Sequence, residues 1–232
     1  MSHFFSLVTI SIVSSLLFAS PSLAKNEKRE SIPAQYSIVH AIPSGFGADL
    51  VDVYVNSRLA IDNAAPGNVR TFTAARGTYL VEFFSNGIVP GPGATPLLSA
   101  SNLNLGRNSN FSIVAHLNES EKPVITIFNN MITGGGVKRS WLTVRHVAAA
   151  PAVQVQINSE DVFSSLGNAV ERKRTFSPRT YQIQALQSDT RVPLSQVISV
   201  SMSKNRNTVV YIWGAKSKGN LLVLEDDIPK RI

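Results

Sequence analysis

The feature that most restricts this chain is an internal duplication. Val39-His40 is followed by Val51-Asp52-Val53-Tyr54-Val55-Asn56-Ser57, and Arg145-His146 is followed by Val153-Gln154-Val155-Gln156-Ile157-Asn158-Ser159. Residues 72–82, with Gly77-Thr78-Tyr79, are answered by residues 176–184, with Arg179-Thr180-Tyr181, and Phe72 is matched to Phe176. Residues 110–116 are answered by 207–213, and each half closes on another apolar run, 124–128 and 221–224. Matched segments in one order mean one structural unit built twice. A chain of 232 residues has room for two such small cores.

Within the repeated segments the hydrophobic period is two. Val51, Val53 and Val55 alternate with Asp52 and Tyr54, and Val153, Val155 and Ile157 alternate with Gln154 and Gln156. Turn signals such as Pro43-Ser44-Gly45 and Pro66-Gly67-Asn68 separate the runs. Strands are expected near 36–41, 51–55, 70–74, 78–84, 98–105, 110–117 and 123–128, and again near 141–147, 152–158, 172–176, 180–186, 194–202, 207–214 and 220–225. The best helix candidate is residues 160–169, only a few turns long. Short strands with one polar face predict an all-β chain of two tandem antiparallel β-sandwich domains, with immunoglobulin-like topology as a subclass whose strand order the spacings do not specify.

Residues 1–24 read as a signal peptide: an apolar run over 4–18 ends in the small-residue stretch Ala19-Ser20-Pro21-Ser22-Leu23-Ala24. Residues 25–34 form a charged, flexible segment, 35–131 the first domain, 132–138 a linker around Gly134-Gly135-Gly136, and 139–232 the second domain. No later apolar run reaches membrane-spanning length, so the mature chain is expected to lack a transmembrane segment. The destination is the periplasm or the extracellular space. There is no cysteine, which removes disulfides, thiol nucleophiles and thiolate metal sites.

The formal charge is +7, and all of it belongs to the second half. Lys138, Arg139, Arg172, Lys173, Arg174, Arg179, Lys204 and Arg206 are its candidate anion-binding surface, most of them in turns or at strand ends. The partners implied are an envelope polymer, an anionic lipid surface or another envelope protein. Nucleic acid is not expected, because no reader motif is present and export separates the chain from it.

Few side chains are arranged for chemistry. His40 and His146 occupy equivalent places in the two halves; a repeated position suits an imidazole bonded to a loop carbonyl better than a unique active centre, with a ligand role as the alternative. His116 is matched by Trp213. Asp52, matched by Gln154, reads as a solvated surface carboxylate. Tyr54, Phe84 and Trp213 are candidates for an exposed patch or an interdomain seam. No nucleophile elbow, phosphate loop or zinc motif occurs, so no catalytic residue, metal site or cofactor is assigned.

The repeated phrase resembles a bacterial secreted family, domain of unknown function 4397. The resemblance rests on Val39-His40-Ala41-Ile42-Pro43, residues 51–56 and Gly77-Thr78-Tyr79-Leu80-Val81, and again on His146, Ala150-Pro151-Ala152-Val153, residues 155–158 and Arg179-Thr180-Tyr181. It implies an exported, envelope-associated all-β module, often in tandem, without an established activity. The first copy departs from the pattern by a longer loop over 44–50, and the second by Gln154 and Gln156. The expected function is a non-enzymatic interaction or structural module of the cell envelope or extracellular space. The alternative is a periplasmic enzyme or carrier with its site between the domains.

Overall fold

The computed structural model describes residues 33–130, 138–218 and 220–229. The expected signal peptide, nearly all of the charged segment after it and the glycine-rich joint at 132–137 lie outside the described residues. In the first half the strands are β1 (Ala34–Ala41), β2 (Val51–Val55), β3 (Arg58–Ala64), β4 (Val69–Ala74), β5 (Gly77–Ser85), β6 (Leu98–Leu105), β7 (Asn110–Leu117) and β8 (Pro123–Asn129). In the second they are β9 (Ser140–Ala149), β10 (Val153–Ile157), β11 (Glu160–Leu166), β12 (Val170–Phe176), β13 (Thr180–Gln187), β14 (Ile198–Ser201), β15 (Arg206–Ala215) and β16 (Asn220–Pro229). No helix among the described residues is long and apolar enough to cross a membrane.

The two halves share one topology. The first forms sheets of order β4-β1-β7-β8 and β3-β2-β5-β6, and the second forms β12-β9-β15-β16 and β11-β10-β13-β14. The all-β sandwich is therefore as expected, with three refinements. β1 runs parallel to β7 and β9 parallel to β15, so one sheet of each half is mixed rather than antiparallel. The immunoglobulin sandwich groups its strands A-B-E-D and C-F-G. Here the first strand of each half lies between the fourth and the seventh, so the likeness is one of architecture. Each half also has one strand more than the spacings suggest, β3 and β11.

The extra strand has a local cause. Asn56 and Ser57 have φ of 48° and 62°, and Asn158 and Ser159 have 51° and 66°. Two successive positive φ values give the two-residue hairpin turn that matches strand twist. Residues 160–166 consequently fold back on β10 as β11, not as the short helix the sequence allowed. Their alternation is hidden by a bulge at Ser165 (φ 51°), mirrored at Asn63 (φ 54°) in β3.

Each sandwich closes its own core. Tyr36, Ile38, Ile113 and Leu117 meet Val53, Val81, Phe83 and Leu103 in the first, and Leu142, Val144, Val210 and Ile212 meet Val155, Ile183 and Val200 in the second. Val53 and Val155 are both wholly buried. The register also corrects one sequence match. Tyr36 pairs with Phe72 and Leu142 with Arg174, so Arg174, not Phe176, stands where the first half has Phe72.

The expected solvated outer face is absent from four strands, because β1, β7, β9 and β15 are buried on both sides. Their second faces meet in a seam between the halves, where Val39, Val114 and Phe128 pack with Val147, Val209, Tyr211 and Trp213. The Trp213 ring lies against Gly67, whose φ of 85° is a backbone conformation that glycine adopts without strain. Asn168 ties the halves directly, donating its Nδ2 hydrogens to Leu117 O (2.9 Å) and Ala148 O (2.7 Å). Asn168→Ala should cost about 1–3 kcal/mol, read from the denaturant midpoint; an unchanged midpoint would show that water replaces both bonds.

Candidate functional site

Three segments converge at one end of the second sandwich: the lead into β9, the β12–β13 turn and the β14–β15 turn. Main-chain bonds fasten them, from Asn205 N to Arg139 O (3.0 Å) and from Met202 N to Arg179 O (3.1 Å). The Arg139 guanidinium adds a long bond to Thr175 O (3.5 Å). Lys138, Arg139, Arg174, Arg179, Lys204 and Arg206 therefore share this end. Arg172 lies two residues farther along the edge strand β12 and on the same face as Arg174.

Aromatic rings organise the centre of this basic end. Arg174 lies over Phe176 with 5.7 Å to the ring centroid, and Arg179 over Tyr181 with 4.8 Å. Phe176 and Tyr181 meet edge to face at 5.2 Å, and the Tyr181 hydroxyl donates to Ser177 O (2.9 Å). A cavity of about 190 Å³ opens between them, with Glu160 as the carboxylate in its wall. A guanidinium stacked on a ring loses rotamer freedom yet keeps its N–H fork, which suits a planar or tetrahedral oxyanion.

Lys173 is drawn away from this group. Its Nζ pairs with Glu171 at 2.8 Å and donates to Asn129 O at 2.9 Å, so it serves the seam. The Glu171 carboxylate also receives Arg145 Nε at 3.0 Å. Arg145 is wholly buried in the seam, donating to the Tyr211 hydroxyl (2.9 Å) and to Asn130 Oδ1 (2.6 Å), with Phe128 4.4 Å beneath it. The Tyr211 hydroxyl continues to Ser112 Oγ at 3.0 Å. Sequence reasoning missed this cluster. Its one signal was that Arg145 replaces Val39 in the otherwise matched strand opening.

The two equivalent histidines sit at the opposite ends of their sandwiches. His40 Nε2 donates to Ala48 O (2.7 Å), while its Nδ1 accepts a long bond from Ile42 N (3.4 Å). His146 Nε2 donates to Pro151 O (3.2 Å). Burial lowers the pKa of both, against the opposing effect of those carbonyls. His116 faces the seam, donating from Nδ1 to Leu117 O (2.9 Å) and accepting from Thr126 Oγ1 (2.8 Å). Burial, with a small contribution from nearby His146, pushes its pKa down to about 4.

Asp52 is buried rather than solvated, because its carboxylate accepts from Asn63 N (2.9 Å) and Gly87 N (2.7 Å) and so fastens two turns. Tyr54 and Phe84 bury against each other edge to face at 5.6 Å, leaving no exposed patch there. Between the halves lies an open cleft of about 730 Å³, lined by Glu119, Glu121, Lys216, Ser217 and residues 149–152. Among the described residues no three histidine or carboxylate side chains converge as ligands for a metal ion.

The family model described as domain of unknown function (DUF4397) matches residues 34–156, from the start of β1 into β10. No curated protein matches the chain. Among solved structures, the Bacillus anthracis TIE protein is similar over 78% of this chain and 33% of its own, with 8% identity and a TM-score of 0.25. The chain thus spans about a third of that structure's length.

Proposed function

Since the chain belongs to the DUF4397 family, we propose, from the geometry of the molecule itself, a non-enzymatic binding module that holds an anionic partner at the basic end of its second half. The second half is read as another copy of the family's domain, which its repeated strand order supports. Export to the periplasm or beyond is supported by the apolar run and small-residue stretch of residues 1–24. The partner is an envelope polymer, an anionic lipid surface or an acidic envelope protein.

One observation carries the reading. Six basic side chains share one end, and two of their guanidinium groups are held on aromatic faces around a small cavity. Heparin affinity and sedimentation with phosphatidylglycerol vesicles, each followed against salt, test it and separate polymer from lipid. A basic side chain near an anionic surface contributes about 1 kcal/mol, so Arg174→Glu with Arg179→Glu, which removes two such contributions and adds two repulsions, should weaken binding by more than roughly 30-fold. Release of the wild-type protein from both at near-zero salt would overturn the reading.

The cleft between the halves favours a second reading, a carrier or enzyme with its site there, since Glu119, Glu121 and Lys216 converge on it. Neither His40 nor His146 lines that cleft. A polar solute whose binding is lost in Glu119→Gln with Glu121→Gln would favour this alternative.

A further inference from the structure

The two halves differ most in one connection. The second half passes from β9 to β10 through residues 150–152, whereas the first spends residues 42–50 between β1 and β2. The longer loop follows a path that needs glycine: Gly45 and Gly47 have φ of 86° and 78°. It is pinned at two points, by Gly45 N donating to Asp49 Oδ1 (2.7 Å) and by the His40 imidazole on Ala48 O (2.7 Å). These bonds hold Phe46 and Ala48 as one wall of a cavity of about 210 Å³ at the mouth of the first sandwich.

The remaining wall is apolar, with Ile42, Phe83, Leu98 and Pro123 around it. Among the described residues His40 is the one titratable side chain in the lining, and both of its nitrogens are engaged by the loop. For scale, a dry cavity of about 150 Å³ accepts benzene. The rim is different in character. Lys218, from the second half, is exposed and places its ammonium 5.4 Å from the centroid of the Phe46 ring. Among the described residues it forms no ion pair, and the loop's own carboxylate, Asp49, is bonded to Gly45.

We infer that this cavity is a binding site for a small amphiphilic acid, such as a medium-chain fatty acid, with its apolar end inside and its carboxylate beside Lys218. The apolar wall supplies the affinity and the single cation the preference for an anionic head. The site is separate from the basic end: the loop that builds it belongs to the first half, and among the described residues the second half contributes Lys218.

Calorimetric titration of the full-length mature protein with octanoate and with 1-octanol tests the inference. Octanoate should bind saturably, roughly fivefold tighter than the alcohol, as befits one exposed ion pair. Lys218→Gln should remove that preference and leave octanol unchanged. Ala48→Phe fills the cavity and should weaken both ligands by about tenfold or more; Leu98→Phe, filling it from the other wall, is the second variant should the first fail to fold by circular dichroism. The Arg174→Glu, Arg179→Glu protein should bind octanoate normally. Equal affinity for acid and alcohol, or octanoate binding that survives a folded filling variant, would overturn the inference.

Discussion

Arg145→Ala is expected to lose about 3–5 kcal/mol of folding stability, seen as a large drop in the guanidinium midpoint. The guanidinium is wholly buried and satisfies three acceptors at once: Glu171, the Tyr211 hydroxyl and Asn130. Truncation leaves the buried Tyr211 hydroxyl without the donor it accepts from, takes one of two donors from Asn130 Oδ1 and one of two cations from the partly buried Glu171, and opens a void over Phe128. The first half indicates how the loss can be relieved. Val39 occupies the place of Arg145, and it pairs with Val69 where Arg145 pairs with Glu171. Replacing both charges, as Arg145→Met with Glu171→Leu, should therefore recover part of the stability, with Lys173 keeping its bond to Asn129 O. A single alanine variant within about 1 kcal/mol of wild type would mean that water enters the seam and solvates what is left.

Acid should weaken the fold across the window from pH 6.5 to about 4, and His116 accounts for much of that loss. Its pKa in the folded chain is about 4, against the ordinary imidazole value of 6.5. Between these values the unfolded chain takes up a proton that the folded chain refuses. Stability is thus fully present above pH 6.5, falls as the pH drops, and levels off for this group below 4. The depression corresponds to about 3 kcal/mol in all. The cause is structural: neutral His116 donates from Nδ1 to Leu117 O and accepts at Nε2 from Thr126, so a second proton would put a charge in a buried seam with no carboxylate bonded to the ring. His40 and His146 are shifted the same way and steepen the same window. The lowered carboxylates Asp161 and Asp189 act in the same direction at lower pH, their contribution being lost as the pH falls below their ordinary value of 3.8. Denaturant midpoints at successive pH values test this. His116→Gln should flatten the profile by about one proton; an unchanged slope would assign the acid sensitivity elsewhere.

The candidate site was partly legible beforehand. Basic residues scattered from 138 to 206 look unrelated along the chain, yet strand ends and turns of a sandwich gather at its two ends, so their grouping follows from the strand pattern. What the pattern hid was the role of each one. Arg174 and Arg179 gained aromatic supports, while Lys173, between two exposed arginines on β12, points to the opposite face and is taken by Glu171 and the first half. Asp52 shows the same limit. It alternates with valines like a surface residue, and only the bulge at Asn63 and the turn at Gly87 bring two amides to its carboxylate.

Local order was written in the residues themselves. Alternation at period two, the repeated Asn-Ser turns and the recurrence of matched segments are short-range properties, and they determined that the chain forms one all-β unit twice. Tertiary structure decided everything that depends on what arrives from far along the chain. β1 finds its parallel neighbour β7 some seventy residues later, as Gln35 opposite Asn110. The two mixed sheets turn their second faces to each other, so Arg145 and His116 are enclosed instead of solvated. A side chain's alternation tells which face of a strand it occupies, but whether that face meets water or another sheet is set by packing between distant segments.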